Sequence, residues 1–179
     1  MTIKTNRLEL IQFTTDHIIA LRSGSAAFQK LVGYPWAEGL EAVAEGYSKM
    51  FEKVTLPPDE WLLGFQVVLP TEQKVVGCCG YKGPPDESGT VEIAYVIAPA
   101  FQGKGYATEA ARALVRYAFE SPAVTIVCAH TLPETNASTR ILTKCGLRNI
   151  GEVIDPEDGR IWRWEIAQAR WRSNPRDCA

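Results

Sequence analysis

The sequence predicts an α/β (α+β) fold: one mixed, mostly antiparallel sheet of about seven strands with about four helices. Three observations carry this. Apolar, β-branched runs of strand length fill residues 61–69, 75–81 and 91–98 with only turns between them, which favours antiparallel neighbours. Residues 91–130 then read as strand, glycine turn, helix and strand, a unit that closes by a right-handed parallel crossover. The chain has 179 residues, of which 46% are hydrophobic and 22% charged, enough for one domain with a full core.

Taken in order, residues 7–11 (RLELI) alternate and read as a first strand. Thr14 or Thr15 caps a helix with Asp16 in its first turn, running past a break at Ser23-Gly24-Ser25 towards Leu31. Gly33-Tyr34-Pro35-Trp36 is a turn. A second helical region spans about 40–53, with Val43, Tyr47, Met50 and Phe51 on one side, and Pro57-Pro58 breaks it. Residues 61–69 and 75–81 pair as strands around a turn at Pro70. In the next strand, Glu92, Ala94 and Val96 share one face, and Val91, Ile93, Tyr95 and Ile97 the other. Pro99 ends that strand, and a helix follows with Ala110, Ala113, Leu114, Tyr117 and Ala118 on its apolar side. Residues 124–130 are apolar on both faces, as a buried strand is. A short helix over 137–144 stops at Gly146, and strands at 148–154 and 161–166 close the chain. Residues 1–168 form a single domain, and 169–179 a polar, loose tail.

Composition excludes several functions. Net charge is −2, so no basic field awaits nucleic acid. No run is long and apolar enough for a bilayer, and the N-terminus lacks a signal-peptide core, so a cytoplasmic protein without a membrane partner is expected. The five cysteines are scattered, none in a CxxC pair, and His17 and His130 lie far apart; reduced thiols and no metal site follow.

The stretch around which the chain is organised is Gln102-Gly103-Lys104-Gly105-Tyr106-Ala107, between a strand and a helix. The first N–H groups of a helix lack partners within it and the helix dipole adds positive character, so this turn suits phosphate or pyrophosphate. Glycine lets the backbone approach such a ligand. No Gly-Lys-Ser/Thr closes the turn, and the third glycine of a dinucleotide fingerprint is missing.

Gln-x-x-Gly-x-Ala followed by Thr108-Glu109-Ala110 resembles the acetyl-CoA pyrophosphate loop of the GNAT acyltransferases. Three more landmarks fall in the same order: Thr5-x-Arg7-Leu8-x-Leu10, Glu92-Ile93-Ala94-Tyr95, and Asn136-Ala137-Ser138-Thr139-Arg140-Ile141-Leu142 with Lys144-x-Gly146-Leu147. They resemble the branch containing the ribosomal-protein N-terminal acetyltransferases, over nearly the whole chain. The chain departs from that pattern in Thr135-Asn136, where the family has its Asn one residue earlier. It departs also in Thr143 for Glu, Leu147 for Phe, and the lack of a tyrosine in the late helix.

The resemblance implies a GNAT fold and acetyl transfer from acetyl-CoA, as co-substrate, to a primary amine by direct attack. The acceptor would be a small molecule or a protein N-terminus. Gln102, Gly103, Lys104, Gly105, Tyr106 and Ala107 would hold the pyrophosphate. Backbone at Val96 and Ile97 would pair with the pantetheine arm, with Thr135 or Asn136 beside it. An alkyl ammonium must lose a proton, and Glu92 is the candidate base, against a salt-bridged surface carboxylate. Ser138 is the candidate donor to the leaving thiolate, against a helix-cap serine; Tyr95 and Tyr106 are weaker candidates. His130 ends a strand beside the expected cleft, either as an acceptor contact or as a hydrogen-bonded structural residue. Tyr34, Trp36 and Trp61 are candidate walls for the acceptor, or ordinary core aromatics. A module that binds acyl-CoA or a partner without turnover is the alternative, and a homodimer remains open.

Overall fold

The computed structural model describes residues 1–23, 28, 31, 33–45, 54–56, 58–156 and 158–173. Among them is one mixed eight-stranded sheet, in the order β1-β2-β3-β4-β5-β6-β8-β7. The strands are β1 (Thr2–Lys4), β2 (Glu9–Gln12), β3 (Phe65–Leu69), β4 (Lys74–Tyr81), β5 (Thr90–Ile97), β6 (Ile126–Thr131), β7 (Arg148–Asp155) and β8 (Gly159–Ala167). The α-helices are α1 (Thr15–Ser23), α2 (Leu40–Val43), α3 (Tyr106–Ala118), α4 (Ala137–Lys144) and α5 (Gln168–Arg172). Only β5 and β6 pair in parallel, as the crossover through α3 requires.

Several expectations are corrected. The first strand is the second arm of a hairpin: β1 pairs with β2 from Thr2↔Ile11 to Lys4↔Glu9, which makes eight strands rather than about seven. The Thr5 hydroxyl builds that turn, accepting from the Leu8 N–H at 3.0 Å. Residues 61–64 are not strand. Asp59 accepts from the Trp61 N–H at 2.9 Å and caps a 3₁₀ turn, Glu60–Leu62, so β3 starts at Phe65. The tail is not wholly loose: α5 docks Trp171 against Phe119 and buries it, while Gln168 donates to the Phe119 carbonyl at 3.1 Å. Of the second helical region, α2 and residues 44–45 are described; residues 46–53 lie outside the described residues, as does the expected break at residues 24–25.

Other elements form where local chemistry calls for them. Thr14 caps α1 through the His17 N–H, and Asn136 caps α4 through the Thr139 N–H, with Thr139 bonding back to Asn136. Gly146, at φ 84, follows α4 in the left-handed conformation of a C-terminal glycine. On α3, Ala110, Ala111, Ala113, Leu114, Val115 and Ala118 are buried. The Tyr81 hydroxyl donates to the Leu114 carbonyl at 2.7 Å, and Tyr81 faces Ile93 across the β4–β5 pair. The odd-numbered residues of β5 therefore face α3, and Glu92, Ala94 and Val96 the opposite side.

Candidate active site

The site begins where the sheet opens. β5 and β6 are in register at Thr90↔Ile126, Val91↔Val127 and Glu92↔Cys128, and pairing stops there. Yet β5 continues to Ile97 and β6 to Thr131, so the two diverge and leave a gap. On its other side β5 stays paired with β4 to Gly77↔Ile97. The Lys82 N–H donates to the Glu92 carbonyl and the Ala98 N–H to the Val76 carbonyl. An antiparallel ladder alternates, so the backbone groups of Ala94 and Val96 also turn to β4, while those of Tyr95 and Ile97 turn to the gap. A Cβ on Gly77 would run into the Val96 carbonyl oxygen, which agrees. The strand backbone at the gap is thus Tyr95 and Ile97, a correction to Val96 and Ile97; Val96 contributes its side chain.

A cavity of about 450 Å³ occupies this end of the gap. Tyr95, Val96 and Ile97 line it from β5, and Gln102, Gly103 and Gly105 from the loop. Tyr106, Ala107 and Thr108 at the start of α3 continue the wall, and Ser138 and Ile141 of α4 close it. The volume is that of a small-molecule site. Gly103 and Gly105 have φ of 74 and 86, and Gly105 is the residue before α3. Those two turns aim the first amides of the helix at the cavity. The Gln102 side chain donates to the Ile97 carbonyl at 2.9 Å and ties the loop to the strand end.

A brace from the N-terminal hairpin holds this loop. Arg7 donates its backbone N–H and its Nε to Glu109 of α3, each at 2.7 Å, and Nη1 to the Lys104 carbonyl at 3.0 Å. Its guanidinium lies 4.5 Å from the Tyr106 ring centre. Thr5 donates to Glu109 at 2.6 Å. Burial alone would raise the Glu109 pKa, but the Thr5 and Arg7 donors and the Arg7 charge outweigh it and lower the pKa. The sequence displayed Thr5, Arg7 and Glu109 only as landmarks; their mutual contact spans the chain and has no local periodicity to announce it.

The expected site residues separate into groups. Gln102, Gly103, Gly105, Tyr106, Ala107 and Ser138 share the cavity. The Lys104 side chain instead rests over the Phe101 ring, 5.0 Å from its centre. Asn136 uses its side-chain oxygen to cap α4, and Ser138, in the first turn of that helix, lines the cavity. Among the described residues the buried Tyr95 hydroxyl has no hydrogen-bond partner within bonding distance, but it lies close enough to Ser138 for that side chain to lower its pKa. Burial first, and then Cys145, raise its pKa.

Glu92 lies on the opposite face. Its Oε1 is 2.6 Å from Lys82 Nζ and 2.9 Å from His130 Nδ1. Burial opposes the Lys82 charge, but the hydrogen bond and charge of Glu92, with Asp158 and Asp155 behind it, raise the Lys82 pKa. Burial, and then Glu92, push the neighbouring Cys128 thiol up to about 12. Of the aromatic candidates, Trp61 does not face Glu92: it packs edge-on against Tyr81 at 4.7 Å and lies near Tyr117 of α3, on the other side of the sheet. Trp36 packs edge-on against Phe28 at 5.4 Å and bridges to Val75, and Tyr34 packs against the core. Among the described residues no group of three or more His, Cys, Asp or Glu is arranged for a metal, and no helix is long and apolar enough to cross a membrane.

Comparisons with known proteins agree with this geometry. A family model described as an acetyltransferase (GNAT) domain matches residues 7–148. The N-acetyltransferase p20 of Bacillus licheniformis is 29% identical over 96 residues, 54% of this chain and 54% of that protein. The chain thus spans about half the length of the curated relatives it matches. Among solved structures, a GNAT-family acetyltransferase from Bacillus anthracis superposes with a TM-score of 0.64 at 24% identity, covering 94% of this chain and 99% of that one. The ribosomal-protein-S5-alanine acetyltransferase of Vibrio fischeri gives 0.65 at 15% identity, covering 96% and 98%. These likenesses show a shared fold, and the matched family model, from Arg7 onward, covers the loop, the open strands and α4 together: this chain belongs to the GNAT acetyltransferase family.

Proposed function

We propose that the protein transfers an acetyl group from acetyl-CoA to a primary amine by direct attack in a ternary complex. One observation carries the reading: a single cavity joins a helix N-terminus, behind two left-handed glycines, to the gap between diverging strands. The amides from Gly103 to Ala107 suit a pyrophosphate. The backbone edge of Tyr95 and Ile97 suits the amides of a pantetheine arm, paired as an added strand. The Tyr95 N–H is aimed where a thioester carbonyl gains negative charge as the amine attacks. Beyond the loop, a depression lined by Lys4, Arg7, Arg112, Arg116 and Lys144 shares Gly105, Thr108 and Lys144 with the cavity. Its cations suit the remaining phosphate of a coenzyme A.

Ser138 and the Tyr95 hydroxyl stand on the α3 side as donors to the departing thiolate, and Glu92 belongs to the machinery that takes the proton of the amine. A small amine and a protein N-terminus both fit as acceptor, and a cytoplasmic setting fits the chemistry. Calorimetry with acetyl-CoA, ATP and NAD tests the reading. Micromolar binding of acetyl-CoA, with much weaker binding of the other two, is expected; tight binding of ATP alone contradicts it.

A further inference from the structure

The residue that receives the proton of the amine follows from how Glu92 is held. We propose that His130 Nε2 is the general base and that Glu92 is its positioning residue; the inference rests on the acetyl-transfer reading above. Three observations lead there. First, one carboxylate oxygen of Glu92 already meets both Lys82 Nζ at 2.6 Å and His130 Nδ1 at 2.9 Å. A carboxylate whose oxygen is already engaged by an ammonium and an imidazole is a good anchor for the imidazole. Second, a carboxylate only accepts hydrogen bonds, so the shared proton sits on Nδ1 and the lone pair on Nε2. Third, the position is right. Pairing of β5 with β6 stops at Glu92↔Cys128, so His130 stands at the first level where the strands have parted, opposite Ala94. Its contact with Glu92 puts it on the face away from α3, while Ser138 and Tyr95 approach the gap from the α3 side. The base and the thiolate donors therefore flank the gap from opposite faces, so the amine and the coenzyme sulfur are served by different groups.

The step balances. His130 Nε2 takes a proton from the ammonium, and the neutral nitrogen adds to the thioester carbonyl. The C–N bond forms, the C–S bond breaks, one of the two N–H protons of the adduct ends on the coenzyme sulfur through the Ser138 and Tyr95 hydroxyls, and the other stays on the amide. His130 returns the first proton to solvent. The side chains of His130 and Glu92 are 17% and 20% exposed, which leaves that route open. Among the described residues, the titratable and charged groups facing His130 are Glu92 from β5, Lys82 beyond β4, Cys128 on its own strand, and Arg163 and Glu165 of β8. Arg163 is opposite His130 in register and is itself paired with Glu165 at 2.7 Å.

The chain has two histidines, so long-range proton–nitrogen spectra of nitrogen-15-labelled protein read the tautomers directly. His17 Nδ1 accepts the Thr14 N–H at 3.0 Å, which makes it the opposite tautomer and an internal reference. The expected result is an unprotonated Nε2 in His130, identified by its loss in His130→Gln. Thiol release with benzylamine, spermidine and a short peptide with a free amino terminus is followed against pH. The wild-type pH profile should change shape in His130→Gln, with roughly a 100-fold drop at unchanged acetyl-CoA affinity. Glu92→Gln should shift His130 towards the other tautomer. An Nε2–H tautomer, or His130→Gln with the wild-type rate and pH profile, overturns the proposal. A wild type that binds acetyl-CoA but acetylates none of these amines counts against the acetyl-transfer reading and this inference together, and is told apart by the inactivity of the wild type itself.

Discussion

Arg7 and Glu109, 102 positions apart, are joined by two hydrogen bonds of 2.7 Å, and through them the N-terminal hairpin grips the loop that begins α3. The Arg7 side chain is 42% exposed, so the ion pair itself is worth about 0–1 kcal/mol. Its value lies in geometry: the same guanidinium holds the Lys104 carbonyl and covers Tyr106. Arg7→Ala should therefore cost about 1 kcal/mol of stability while weakening acetyl-CoA binding roughly tenfold, about 1.4 kcal/mol. Arg7→Lys, a point charge without a fork, should restore little of the affinity. Calorimetry beside thermal melts checks this; equal affinity in wild type and Arg7→Ala removes the brace from the account.

Glu109 adds a pH dependence. Its folded pKa is lowered below the unfolded value of about 4.5, so its contribution to stability is complete above that value and is lost as pH falls through the lower folded value. Glu109→Gln should flatten that acid loss and, by removing the charged partner of Thr5 and Arg7, cost about 1–3 kcal/mol at neutral pH. Denaturant melts of both proteins across the acid range measure it.

Gly105→Val should abolish acetyl-CoA binding. The residue sits at φ 86, where a β-branched side chain is strained, and its Cβ would lie 3.3 Å from Arg7 Nη2. Binding at the wild-type level in a folded variant contradicts the loop assignment.

Tyr95→Phe and Ser138→Ala separate catalysis from packing. Among the described residues the buried Tyr95 hydroxyl has no hydrogen-bond partner, so its removal should leave stability unchanged or higher. Turnover should nevertheless fall, modestly in each variant and further in the double variant, because the thiolate loses its donors. Full turnover in the double variant removes both residues from the mechanism.

Glu92→Gln should lower turnover far more than acetyl-CoA affinity, since Glu92 lies on the face away from α3 and contacts His130 and Lys82 rather than the loop. Unchanged turnover over the whole pH range removes Glu92 from the mechanism.

Much of the fold was legible because its signals are local. The terminal glycine of α4, the periodicity of α3 and the proline after β5 each lie within a few residues of what they decide. The loop was legible for the same reason. What escaped was non-local. Whether Val96 or its neighbours face the gap depends on the phase of the β4–β5 ladder. The roles of Arg7 and His130 depend on partners distant in sequence. Trp61 reads equally well as a wall or as core until Tyr81 and Tyr117 are seen to surround it. That Asn136 caps α4 shows only once its oxygen is seen on the Thr139 N–H.

The central claim is that the cavity between the loop and the open strands serves acetyl transfer to an amine. Thiol release from acetyl-CoA, followed over a broad set of primary amines, peptides with free amino termini and aminoglycosides, tests it most directly. The account predicts amine-dependent release with at least one class of acceptor, accompanied by its N-acetyl product in the mass spectrum. Tight acetyl-CoA binding with no release above the amine-free rate for any acceptor would contradict it and favour a binding module instead.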